Sequence, residues 1–227
     1  MKTVIVMGVA RSGTSMASGL LHTIGVNMNP VDNPGFQNPK GSFEDSNFIG
    51  LTTTICKEKR NGTLEKASPT IKASIKELLH KRTKQNREAG NTMWGWKSAL
   101  THVGFGMFVP HLRNPYLVVN FRNPLQNAKS WKLHYKVNYN EEASIEKALQ
   151  VVSDNLKELV GALAAYPHIP RHYVTYEGIK SNPVAEAKKM AAFLDTEFTE
   201  EIQEKVEKFI VPEYSTLTRP VPKGERK

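Results

Sequence analysis

Apolar residues fall along this chain in two alternating rhythms. Short runs at Val4–Met7, Met93–Trp96, Tyr116–Phe121 and His172–Tyr176 have the length and composition of buried strands. Between them, apolar positions recur at helical spacing. Met16, Leu20, Leu21 and Ile24 share one face just after the first run. Ala67, Ile71, Ile75, Leu78 and Leu79 form a second stripe, and Ile145, Leu149, Val152, Leu156, Leu159, Val160 and Leu163 make the longest, over 141–165. Pro167 and Pro170 end that last helix.

Further helices are predicted from Ser42 to about Lys59, over 101–114, from Pro124 through Trp131, from Asn182-Pro183 to Leu194, and from Thr199 to about Ile210. Ser42 with Asp45 reads as an acidic capping box, and Ser68-Pro69 as an N-cap followed by proline at the first helical position. The loop 25–42 is rich in Gly, Pro and Asn and long enough to be functional. Strands alternating with helices predict a three-layer α/β/α fold around a central parallel sheet, with ligand at the carboxyl ends of the strands. A chain of 227 residues fits a single domain over 1–227, with a helical insert at 61–90 and a mobile tail at 212–227.

The first strand runs straight into Gly8-Val9-Ala10-Arg11-Ser12-Gly13-Thr14-Ser15 and then a helix. Strand, glycine loop and helix N-terminus together make an anion site, because loop N–H groups and the helix dipole point the same way. The loop nearly matches G-x-x-x-x-G-K-[ST], the P-loop pattern of nucleoside triphosphatases, but Thr14 stands where the lysine would reach the β- and γ-phosphates. The loop's own cation is Arg11. This points to phosphate binding and away from ordinary triphosphate hydrolysis.

Composition narrows the partners. The net charge of +9 favours anionic ligands. Cys56 is the only cysteine, so no intrachain disulfide can form. No apolar run approaches the ~20 residues of a membrane span, and a cytoplasmic location is expected. The basic stretch His80–Arg87 reads as a solvated helix end; with no interleaved aromatics to stack on bases, nucleic acid is not the expected partner.

A triphosphatase needs Mg²⁺, held in part by an acidic residue ending a second strand. Here the strand 116–121 ends in Phe121-Arg122. A cation occupies the place of the metal-binding carboxylate. Ser130 follows eight residues later, and a helix from Pro124 can fold it back towards Arg122, so that both grip one phosphate.

In these segments the chain resembles the sulfotransferases that use 3′-phosphoadenosine 5′-phosphosulfate (PAPS). VMGVARSGTSMASGLL is similar to the family's 5′-phosphosulfate loop, in the form of bacterial and tyrosylprotein-type members. NPKGSFED (38–45) resembles the acidic segment of bacterial members. VVNFRNPLQNAKSW resembles the 3′-phosphate motif, and TYEGIKSNPVAEAKKMAAFL the family's Tyr-Glu-Asp segment and following helix. The resemblance implies that Arg11, Ser12, Gly13, Thr14 and Ser15 hold the 5′-phosphosulfate, that Arg122 and Ser130 hold the 3′-phosphate, and that Tyr176 lies near the adenosine. It implies PAPS as donor and 3′-phosphoadenosine 5′-phosphate (PAP) as product; no metal is expected, because Arg122 stands where a metal-binding carboxylate would be wanted and Cys56 has no partner cysteine.

Sulfuryl transfer needs a base for the acceptor's proton and cations for the developing charge. Glu44 matches the glutamate of the acidic segment, with Asp45 next. Lys97 matches a lysine carried by many relatives in a Lys-Asp-Pro segment, which here reads Lys97-Ser98-Ala99. Of the seven histidines, His102, His111 and His134 are the candidates for proximity to the site. The acceptor, selected by loops such as 25–43 and the insert, is expected to be a carbohydrate, a small alcohol or phenol, a lipid or a peptide tyrosine. An atypical P-loop kinase and a non-catalytic nucleotide-binding relative are the alternatives.

Overall fold

The computed structural model describes residues 1–29, 41–139 and 142–210. The segment 30–40, most of the long Gly/Pro/Asn loop, and the tail expected at 212–227 lie outside the described residues. Four strands form one parallel sheet: β1 (Lys2–Gly8), β2 (Met93–Lys97), β3 (Pro115–Phe121) and β4 (Arg171–Thr175), in the order β2-β1-β3-β4. β1 is paired along both edges, with Ile5 opposite Trp96 on one side and Leu117 on the other. It is also covered on both faces, so its apolar run is unbroken.

The two faces bury alternate residues of β1. Val4 and Val6 pack with Leu20 and Leu21 of α1 (Thr14–Thr23) and Ile24 at its end, with Met190 of α8 (Pro183–Phe193) and with Val206 of α9 (Glu200–Phe209). Ile5 and Met7 pack with Phe48 and Ile55 of α2 (Ser46–Arg60), Ile71 and Ile75 of α3 (Leu64–Glu88) and Leu159 of α6 (Ile145–Ala164). The fold is thus a sheet between two helical layers. Between β2 and β3 the chain makes short helical turns over Thr101–His111, among them α4 (Phe105–Phe108). α5 (Pro124–Tyr139) follows β3, and α7 (Tyr176–Ser181) follows β4.

From β1 the chain goes to β2 on one side, then returns across β1 to β3 on the other. The order therefore reverses between β1 and β3, and the crevice beyond their carboxyl ends is where such sheets bind ligands.

The helix expected over 101–114 is the series of short turns over Thr101–His111, the one expected over 141–165 spans Ile145–Ala164 with Ser144 as its cap, and other predicted boundaries shift as well. Ser42 is not an N-cap: Phe43 has φ of 53°, a left-handed conformation that no helix continues, and Asp45 caps α2 instead, accepting from the Asn47 N–H at 2.9 Å. Ser68-Pro69 lies inside α3, which begins a turn earlier at Leu64. The N–H that Pro69 lacks would have bonded to the Glu65 carbonyl in the exposed first turn, where water can substitute. Tyr176 opens α7 and does not end β4, because the Thr175 hydroxyl caps that helix through the Gly178 N–H.

α9 approaches α1 closely at Gly19. A Cβ built there would lie 1.9 Å from the Phe209 ring. Gly19→Ala should therefore destabilise the protein by about 1–3 kcal/mol, overriding the ~1 kcal/mol by which alanine is the better helix former. In a Phe209→Ala background the same substitution should become neutral or stabilising. Urea denaturation of the four proteins checks this; equal costs in both backgrounds would dismiss the steric account.

Candidate functional site

The loop after β1 turns back on itself through two left-handed residues, Arg11 (φ 70°) and Gly13 (φ 96°). Glycine is required at 13 on two counts: its φ, and the Tyr176 ring, whose Cδ2 would lie 2.6 Å from a Cβ there. α1 then starts at Thr14 with no side-chain cap, leaving the first-turn N–H groups of Thr14 and Ser15 for a ligand. From β3, Asn120 donates through Nδ2 to the Ser12 carbonyl and, at 3.5 Å, to the Ser12 hydroxyl. Asn120 sits opposite Gly8 in the register, so the loop is pinned to the neighbouring strand.

Arg122, just past the end of β3, donates from Nη1 to the Arg11 carbonyl at 3.0 Å and lies 4.1 Å from the centre of the Tyr176 ring. Two guanidiniums thereby share one corner. Arg11 is held below the usual arginine range, first by burial and then by repulsion from Arg122, while Glu44 and Tyr176 oppose the shift. Burial also lowers Arg122. The Nε atoms of both arginines and the Ser130 hydroxyl are buried with no hydrogen-bond partner among the described residues. Buried donors normally have partners. Unsatisfied donors around two repelling cations fit an anionic group.

Lys97, at the end of β2, donates to Glu44 Oε1 at 2.6 Å and to the Ser15 hydroxyl at 3.2 Å. The pair forms because α2 lies along the end of β2. Phe48 stacks on Trp96 with ring centres 4.3 Å apart, and Thr52 and Ser98 share a hydrogen bond of 2.8 Å. With Phe48 over Trp96 and Thr52 at Ser98, Glu44 one turn earlier meets Lys97. Burial pushes the Lys97 ammonium down, and the Glu44 carboxylate partly restores it. Ser98, in place of the expected aspartate, serves as an anchor.

The remaining candidates separate. Asp45 is 3% exposed and fully engaged: it caps α2, accepts from Asn29 at 3.3 Å and pairs with Arg82 at 2.5 Å. His102 is buried against α6, where Glu158 and Asn155 are its neighbours, and His111 lines a groove with α3. His134 lies one turn beyond Ser130 on α5, close enough to Arg11 to feel its charge. Asn120 and Arg82 were not among the residues expected at the site. A polar residue within an apolar strand signalled the first. The second lay on the continuation of the Ile71–Ile75–Leu79 stripe.

The loop after β1 and the cation after β3 therefore flank the switch point of a P-loop-like α/β fold. The sulfotransferase domain family model matches residues 1–218, and the chain belongs to that family. No curated protein matches it. Among solved structures it is similar to sulfotransferase STF9 of Mycobacterium avium (TM-score 0.64, 14% identity, 92% of this chain and 67% of that one). It is similar also to the sulfotransferase domain of the curacin biosynthetic pathway (0.58, 14%, 88% and 76%) and to mouse SULT7A1 complexed with PAP (0.51, 13%, 91% and 63%). No helix among the described residues is long and apolar enough to cross a membrane.

His134 gives the site a measurable signature. Burial first, and Arg11 second, lower its pKa from 6.5 to about 4. The unfolded chain binds this proton near 6.5 and the folded one only near 4, so stability contributed by the neutral imidazole is lost as pH falls across that interval. An NMR titration should place the His134 midpoint at about 4, and Arg11→Gln should raise it without restoring the ordinary value. A wild-type midpoint near 6.5 would refute this electrostatic picture.

Proposed function

We infer that this protein transfers a sulfuryl group from PAPS to the hydroxyl or amine of an acceptor. The observation that carries the reading is the pairing of Arg11 and Arg122 across the switch point, with buried donors left without partners. A ligand with phosphate at both ends suits two cation sites, one on the loop and one after β3. Arg11, Ser12, Gly13, Thr14 and Ser15 would hold its 5′ end, Arg122 and Ser130 its 3′-phosphate, and Tyr176 would border the adenosine. The PAP in the mouse SULT7A1 complex supports this ligand class.

PAPS, when bound, supplies the sulfuryl group and a phosphate leaving group. Glu44 takes the proton of the attacking hydroxyl. Lys97, already bonded to Ser15 at the helix start, presents positive charge where negative charge develops. Glu44 is favoured over Asp45 because Asp45 is consumed by its cap and by Arg82. The acceptor class is expected to be a small molecule, carbohydrate or peptide.

Thermal unfolding tests the ligand class. At a hundred times its dissociation constant a ligand adds ~2.7 kcal/mol, roughly 5–10 °C for a chain of this size. PAP should give that shift; a shift with ATP and Mg²⁺ alone would replace the reading with a kinase.

Arg122→Ala should weaken PAP binding by roughly 10- to 100-fold, the loss expected of a charge-assisted contact. An unchanged constant by calorimetry would take the 3′-phosphate away from Arg122. Glu44→Gln should leave PAP binding intact and slow transfer from PAPS by about two orders of magnitude, assayed with labelled sulfur on a panel of glycans, alcohols, phenols and tyrosine peptides. Full turnover in that variant would assign the base elsewhere.

A further inference from the structure

We propose that Arg82, on helix α3, is the positioning residue for the Glu44 carboxylate. The proposal rests on the reading of Glu44 as the base. Arg82 lies nearly forty residues beyond Glu44 in the chain, yet the segment carrying Glu44 is fastened to it. Phe43 and Asp45 flank Glu44, and both are buried. The Phe43 ring sits between His22 and Phe209, with ring centres 5.9 and 6.0 Å away. Its left-handed φ of 53°, beside Gly41 at 97°, is a conformation the surroundings must impose.

Asp45 supplies the other fixing point. One carboxylate oxygen accepts from the Asn47 N–H and side chain at 2.9 and 3.0 Å. The other faces Asn29 at 3.3 Å and Arg82 Nη2 at 2.5 Å. Arg82 is itself braced. Its Nη1 donates to Gln85 at 3.0 Å, and its carbonyl accepts from Asn86 Nδ2 at 2.9 Å. Asn86 Oδ1 in turn accepts from Asn27 at 2.7 Å and from Asn91 at 2.9 Å. Helix α3 therefore grips residues 27, 29 and 45 through one polar cluster, on both sides of the segment 30–40.

A buried ion pair adds little net stability, because desolvation offsets its attraction. What it supplies here is placement. Without Arg82, the Asp45 carboxylate is a buried charge with one weak partner on Oδ2. It must turn towards water, and the backbone of residue 44 turns with it. Glu44 then loses its register with Lys97, although Arg11, Arg122 and Ser130 stand on other elements and are untouched.

The experiment compares Arg82→Ala, Arg82→Lys, Glu44→Gln and the double variant Arg82→Ala/Glu44→Gln. In the unliganded protein, amide exchange at Asn47 should quicken roughly tenfold or more in Arg82→Ala, matching loss of a charge-supported cap. Arg82→Lys should restore most of the protection. PAP affinity by calorimetry should be unchanged in both. Single-turnover release of PAP from PAPS, with water as acceptor, should slow by about 10- to 100-fold in Arg82→Ala, the range for a displaced catalytic group. Arg82→Ala should cost nothing further in the Glu44→Gln background. Wild-type exchange and rate in Arg82→Ala, or an equal additional loss in both backgrounds, would overturn the positioning role while leaving Glu44 as base. A full rate in Glu44→Gln would overturn both. A parallel fall in PAP affinity would mark Arg82 as a general structural support and overturn the proposal as well.

Discussion

Two guanidiniums held together against their mutual repulsion dominate this molecule. Arg11 and Arg122 belong to different loops, and nothing in their own chemistry would bring them together. The parallel pairing of β1 with β3 does so, because the register that sets Gly8 beside Asn120 sets the loop after one strand beside the end of the other. The Arg122 hydrogen bond to the Arg11 carbonyl, the Tyr176 ring beneath Arg122 and the left-handed backbone at Arg11 then close the corner. The left-handed backbone and the burial of two like charges cost the folded state something, and the hydrogen bond and the ring contact offset part of it. Their combination makes sense in a protein whose ligand neutralises the corner, so that binding relieves a repulsion already present in the fold.

The second edge of the site is built differently. Where the arginines are placed by strand pairing, Glu44 and Lys97 are placed by the fit of one helix on one strand. Stacking of Phe48 on Trp96 sets the sliding position of α2, and the Thr52–Ser98 hydrogen bond sets its rotation. Apolar packing thus fixes the position of an ion pair lying one turn away. The sheet supplies cations at its switch point, and the segment that leads into a helix of the layer above supplies the carboxylate.

Much of this was legible in the chain. β1, β2 and the middle of β3 declared themselves because they are buried on both faces, β4 at the sheet edge by its β-branched and aromatic residues, and the long helices because their apolar stripes are strong. The glycine loop and the Arg122–Ser130 spacing are local patterns. The Glu44–Lys97 contact spans 53 residues, and no local pattern encodes it. The misread boundaries at Ser42 and Ser68 have one cause: good capping residues occur wherever a chain turns, and only the backbone conformation tells which is used. Arg82 was hidden by its company. Among the cations from His80 to Arg87 it looks like one more solvated charge, but Ile71, Ile75, Leu79, Arg82 and Asn86 fall on one helical stripe and all are at least largely buried. A polar residue that continues an apolar stripe is a better signal of an inward-facing charge than the composition around it.

The 2.6 Å ion pair between Lys97 and Glu44 leaves part of the ammonium unused. Lys97 carries three N–H groups, and its hydrogen bonds to Ser15 and Glu44 use two. The third can meet an anion at the helix start without releasing Glu44. An anion held there and the Glu44 carboxylate would share one cation, so Lys97 couples the loop after β1 to the segment that precedes α2.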